Sequence, residues 1–139
     1  MGTWSVGSFG NDSAGDWIID LLETPTYQFI RTTLLASTTE AHDKLSNENA
    51  IAAAEVLCIV EGFKANDSDY DQVAHNLEPA LEKLRYQVMP SDLRELAFAT
   101  VEDIEKESEL KELWEDDEEW ISEIKALKQR LTTAGNQGQ

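Results

Sequence analysis

Four acidic residues stand at the spacing of a calcium-binding loop. They occupy positions 1, 3, 5 and 12 of such a loop: Asp67, Asp69, Asp71 and Glu78. However, the sixth position is Gln72, where the sharp turn around the ion requires glycine, and Pro79 follows the acid that would bind the ion through both oxygens. We therefore expect a solvated polar loop with incidental acids, and calcium binding remains an open alternative.

The residues that most often catalyse reactions or bind zinc are scarce and scattered. His42 and His75 form no His-x-x-x-His pair, and no Gly-x-Ser-x-Gly or Cys/His arrangement occurs. The single cysteine, Cys58, lies in an apolar run, which is typical of a small buried side chain and consistent with a reducing cytoplasm. We therefore predict no catalytic residue, no metal site and no cofactor.

Glu55 is the one acid within a nearly continuous apolar run at residues 50–60. A carboxylate in such a run must reach solvent or find hydrogen-bond donors. We expect a structural polar core in which Glu55, together with Asp12, ties down the N-terminal segment through the Trp4 indole N–H or backbone amides. The alternative is an enzyme or metal-binding site in which Asp12, Glu55 and Arg31 share a cleft.

A dense run of acids lies between residues 102 and 123, and we call it the acidic ridge. It holds twelve acids and two lysines. Charge runs often only solubilise a protein, but this one also suits a basic protein partner. The candidate partner-binding residues are Glu112, Trp114, Glu115, Asp116, Asp117, Glu118, Glu119 and Trp120. Either tryptophan would serve as an anchor if its ring is exposed, although such tryptophans often belong to the core.

The overall charge limits the classes of partner. The 139 residues carry a formal net charge of −17, which repels nucleic acid and anionic membrane surfaces. No signal peptide or membrane-spanning run is visible, so we predict a cytoplasmic protein. The sequence leaves the oligomeric state open.

Apolar residues recur at helical spacing along most of the chain. The first helix carries Trp17 and Ile18, and the second begins at Thr24-Pro25 and ends near Ser37. Residues 38–49 form a loop or one extra turn. The helix from about Asn47 to Val60 is apolar nearly all round and should be the central, most buried one.

The second half of the chain predicts further helices. A fourth helix carries Leu77 and Val88 and closes at Pro90, and Pro79 fits it only in the first turn. Ser91 caps a fifth, whose buried face starts at Leu93. The remaining pattern favours two helices interrupted at residues 115–118. The fold prediction is a single all-α bundle of about six helices over residues 1–131, followed by a disordered tail at 132–139.

The N-terminal segment is aromatic and glycine-rich, and we expect it to pack on the bundle in an extended conformation. It opens Met-Gly-Thr-Trp and continues through Asn11-Asp12 to Asp16-Trp17. Together with the later motifs Ala52-Ala53-Ala54-Glu55 and Ser108-Glu109-Leu110 through Leu113-Trp114, this segment resembles a bacterial domain-of-unknown-function family, number 4259. The resemblance implies a compact, mainly helical domain and implies no reaction.

The absence of chemistry and the acidic charge together favour a non-enzymatic binding module. The most concrete version is an immunity protein that neutralises a basic bacterial toxin by electrostatic complementarity. The alternative remains an enzyme or metal-binding protein with a carboxylate site near Asp12 and Glu55.

Overall fold

The computed structural model describes residues 12–37, 44–61, 68–106 and 117–137, with side chains at 15–37, 46–61, 77–106 and 117–132. These ranges contain six helices and no strand, which confirms the all-α prediction. The helices are α1 (Asp12–Glu23), α2 (Tyr27–Leu35), α3 (Lys44–Val60), α4 (Ser68–Arg85), α5 (Leu93–Lys106) and α6 (Glu118–Gln137). None of these six is both long and apolar enough to cross a membrane.

Helix α3 is the centre of the bundle. It packs against each of the other five helices, and every side chain from residue 50 to residue 59 is buried. Because a helix that is apolar nearly all round has no face suited to water, it is stable only when neighbours cover every side. The prediction of a central helix is confirmed. The helix begins at Lys44, earlier than expected, so part of the predicted loop is helical.

Helices α1 and α2 are joined by a tight connection and pack on α3. The Trp17 indole of α1 donates a hydrogen bond to Thr33 Oγ1 at 2.8 Å and stacks on Phe29, with ring centroids 5.7 Å apart. Thr26, rather than Thr24, caps α2, because its hydroxyl accepts from the Phe29 amide at 3.1 Å. The predicted start at Thr24-Pro25 is therefore wrong by two residues.

Helix α4 differs most from the prediction. It begins at Ser68, so Pro79 lies in its interior rather than in its first turn. Pro79 is on the exposed side, where water can replace the hydrogen bond that proline cannot make. The helix ends at Arg85, and Val88, predicted on its apolar stripe, is 92% exposed in the connection to α5.

The α5 face is buried as predicted, from Leu93 through Ala97 and Val101 to Ile104. Asp92 directly precedes this helix and its carbonyl accepts from the Leu96 amide, which places the start one residue after the predicted Ser91 cap. Helix α6 continues to Gln137, whereas we expected a disordered tail from residue 132. Helix propagation costs little once the preceding turns are packed, which explains the extra turns.

Candidate functional site

The acidic ridge is described in part, at residues 102–106 and 117–123. Glu112, Trp114, Glu115 and Asp116 lie outside the described residues, as do Trp4 and the side chain of Asp12. Glu118 and Glu119 are both exposed in the first turn of α6. Their charge at this position is favourable, because a helix N-terminus carries partial positive charge.

Asp117 and Trp120 have structural roles at the start of α6. The Asp117 carboxylate accepts a hydrogen bond from the Trp120 amide at 3.0 Å and so caps the helix. Trp120 is 2% exposed and belongs to the hydrophobic core. A buried ring cannot be a surface anchor, so Trp120 is corrected from a candidate partner-binding residue to a core residue. Its place on the apolar stripe of α6, with Ile124 and Leu127, explains the burial.

Most of the basic side chains that the structure describes are paired with acids. Within the described ranges six ion pairs form: Arg31–Asp92, Arg85–Glu78, Arg94–Glu61, Lys106–Glu102, Lys128–Glu105 and Arg130–Glu55. Among the described basic side chains, Lys83 and Lys125 alone have no such pair. Eight exposed acids make no ion pair within the described ranges: Asp16, Asp20, Glu23, Glu82, Glu95, Asp103, Glu118 and Glu119. The surface therefore carries an excess of uncompensated negative charge.

Three of these unpaired acids form a stripe along α1 that sequence reasoning missed. Asp16, Asp20 and Glu23 follow the spacing of one helix face, and Ile19, 58% exposed, lies among them. The spacing was visible in the sequence.

Glu55 is paired with a residue that the sequence did not single out. Its carboxylate accepts a hydrogen bond from Arg130 Nη2 of α6 at 2.5 Å. The Glu55 side chain is 1% exposed and that of Arg130 is 16% exposed. Glu55 is thus a buried acid in an ion pair, and the partner expected for it, Trp4, lies outside the described residues. The pair fastens α6 to the central helix.

Cys58 lies one turn after Glu55 and shares its surroundings. Burial raises the pKa of the Cys58 thiol to about 12, and the negative charge of Glu55 adds to the effect, while Arg130 opposes it. The thiolate is the reactive form of cysteine, so this thiol is inert near neutral pH. For Arg130, burial alone would lower the pKa, but the charge and hydrogen bond of Glu55 raise it overall.

Arg31 belongs to a different contact from the cleft proposed around Asp12 and Glu55. Its two terminal nitrogens bind the two carboxylate oxygens of Asp92 at 2.8 and 3.0 Å. This hydrogen-bonded pairing lowers the pKa of Asp92 and raises that of Arg31. The pair ties α2 to the start of α5. Arg31 and Glu55 therefore belong to two different ion pairs.

The calcium loop is contradicted by the backbone. Residues 68–85 form one continuous helix, so Asp69, Asp71 and Glu78 cannot curl around an ion as a loop would. Glu78 instead pairs with Arg85 at 3.2 Å. The expected solvated loop is equally wrong over these residues. Elsewhere in the described ranges, no three His, Cys, Asp or Glu side chains converge as a metal site.

Comparison with family models identifies the family of this chain. Residues 2–126 match the model described as Domain of unknown function (DUF4259). The chain belongs to this family. Comparison with curated proteins and with solved structures finds no match. The match confirms the resemblance drawn from the N-terminal and later motifs, and the family description assigns no activity.

In this DUF4259 chain, the described candidate residues therefore lie in two different environments, the surface and the interior of the bundle. Glu118 and Glu119 are exposed acids at one end of α6, and Glu55 lies inside the bundle with Arg130. The Glu55 carboxylate is buried and paired, whereas the Glu118 and Glu119 carboxylates are accessible to solvent.

Proposed function

We propose that this DUF4259 protein is a non-enzymatic binding module that engages a basic protein through its acidic surface. The observation that carries the proposal is the imbalance of unpaired charge. Eight exposed acids have no ion pair within the described ranges, against two lysines. Such a surface accelerates encounter with a basic partner and suppresses binding to acidic ones.

The accessible part of the acidic ridge is its most suitable binding region. Glu118 and Glu119 point to solvent at the start of α6, and Asp103 is exposed near the end of α5. Asp117 caps the helix and Trp120 fills the core. These two residues therefore shape the surface, and the Trp120 ring does not contact a partner. Binding would therefore depend mainly on charge and would weaken as salt rises.

The more specific form of the proposal is an immunity protein that blocks a basic bacterial toxin. A small helical domain can cover a basic surface by charge complementarity alone and needs no chemistry of its own. The enzyme alternative gains no support from the Glu55 site, because its carboxylate is buried and already paired with Arg130. A cytoplasmic location belongs to the same proposal.

The test is affinity capture of the tagged protein from an extract of its own cells, at low and at raised salt, followed by mass spectrometry. The informative variant is Glu118→Lys with Glu119→Lys. We expect a basic protein that is retained at low salt and released at high salt, and a loss of affinity of at least about tenfold in the variant.

The matched control is Glu82→Lys with Glu95→Lys, which changes net charge equally at exposed acids on α4 and α5. Thermal melts check each fold, since lysine in the first turn of α6 also opposes the helix dipole. Equal losses in both variants would show a non-specific charge effect. No retained basic protein, or unchanged affinity in the first variant, would remove the acidic ridge from the proposal.

A further inference from the structure

A groove between α5 and α6 differs in character from the acidic surface. Among the described residues, its lining is Phe98, Lys125, Lys128, Gln129 and Thr132. The groove is largely open to solvent, and its volume is about 560 Å³. An apolar ring on one wall and basic and polar side chains on the other are the usual components of a small-ligand site.

One cation in this groove is fixed and already neutralised. Lys128 Nζ binds Glu105 at 2.5 Å, and both side chains are more than four-fifths buried. The same ammonium lies 5.8 Å from the centroid of the Phe98 ring, a distance that allows a cation–π interaction. Lys128 therefore forms part of the groove wall and holds Phe98 in place, while Glu105 neutralises its charge.

Lys125 is the second basic residue of the groove. It is exposed, lies three residues before Lys128 on the groove wall, and makes no ion pair within the part of the chain that the structure describes. Acids outnumber basic residues by 28 to 11 in this chain, so a lysine that lines the same groove as Phe98 and makes no ion pair within the described ranges is notable. Gln129 is exposed beside it and can both donate and accept hydrogen bonds.

We propose that this groove binds a small organic anion with a single carboxylate and a flat, apolar body. The carboxylate would pair with Lys125, and the flat body would lie along the edge of the Phe98 ring and the aliphatic stem of Lys128, whose ammonium already lies over that ring. One uncompensated cation matches one negative charge. The strongly negative molecule as a whole repels polyanions, which disfavours nucleotides and other multiply charged ligands. This proposal concerns a different surface from the acidic ridge and does not depend on it.

The test is an NMR titration with 1-naphthoate, using neutral 1-naphthamide as the matched probe without charge. For a ligand of this size at an open groove, we expect a Kd in the millimolar range. The expected shifts saturate and centre on Phe98, Lys125 and Gln129. Lys125→Ala should weaken naphthoate binding by up to about fivefold, because an exposed ion pair contributes at most about 1 kcal/mol, and Lys125→Arg should restore most of it.

Lys83→Ala is the control, since Lys83 is exposed and also makes no ion pair within the described ranges. It should leave binding unchanged. The proposal is overturned if naphthoate causes no saturating shifts at these residues. It is equally overturned if naphthamide binds as well as naphthoate, or if Lys83→Ala weakens binding as much as Lys125→Ala does.

Discussion

At the scale of single residues, the interaction between Glu55 and Arg130 is the most consequential in the described structure. A buried ion pair adds little net stability, because desolvation of both charges offsets their attraction. Removing one member is different, since the other charge then stays buried without its counter-ion. The pair therefore acts as a constraint on how α3 and α6 align.

This asymmetry can be measured with a double-mutant cycle. Arg130→Met leaves Glu55 buried without this counter-ion and should lower the free energy of unfolding by about 3–5 kcal/mol. The double variant Glu55→Gln/Arg130→Met should recover a large part of that loss. Urea unfolding measures both values.

A matched control for the cycle is Lys106→Met, which breaks the exposed pair with Glu102 (N···O 3.7 Å). It should change stability by less than about 1 kcal/mol. A double variant that is no more stable than Arg130→Met would show that the lost stability comes from packing of the arginine stem, not from its charge.

The same ion pair also shows which contacts cannot be predicted from the sequence. Glu55 was recognisable because an acid within an apolar run needs partners. Arg130 was not, since a residue 75 positions away is brought to Glu55 only by the packing of α6 on α3. Local spacing carries no information about such a contact. The same limit applies to Arg31 and Asp92.

At the scale of helices, hydrophobic periodicity correctly predicted which helix faces are buried. It was much less accurate for the residues at which helices begin and end. The buried stripe of α5 from Leu93 to Ile104 was visible in the sequence because one face recurs every 3.6 residues. The ends depend on single hydrogen bonds. Two threonines flank Pro25, and the structure alone shows that the Thr26 hydroxyl is the one that reaches a helix amide.

The cap assignment gives a prediction with an internal control. Thr26→Ala should lower the free energy of unfolding by about 1 kcal/mol, because the Phe29 amide loses its acceptor. Thr24→Ala removes an exposed hydroxyl two residues earlier and should have an effect of at most a few tenths of a kcal/mol. Chemical unfolding of both variants decides between them, and equal losses would contradict the cap.

At the scale of the whole molecule, net charge sets how stability responds to salt. The unpaired exposed acids repel one another, and added ions screen this repulsion over about 10 Å at 0.1 M. We therefore expect the melting temperature to rise as sodium chloride increases from low to physiological concentration. Calorimetry or circular dichroism measures the change.

The control for this effect is a variant with fewer unpaired acids, Asp103→Asn/Glu118→Gln/Glu119→Gln. Its melting temperature should depend less steeply on salt than that of the natural sequence. A melting temperature that falls with salt in the natural sequence would mean that the six ion pairs outweigh the repulsion among unpaired acids.

The same contact between α3 and α6 also sets an order of events during synthesis. Arg130 is added 75 residues after Glu55, an interval of roughly 4–15 s at typical translation rates. Throughout that time the central helix has an acid without this counter-ion and lacks one of its covering helices. The core can therefore close only after translation has passed Arg130, so any chain that stops earlier leaves Glu55 without the counter-ion that α6 supplies.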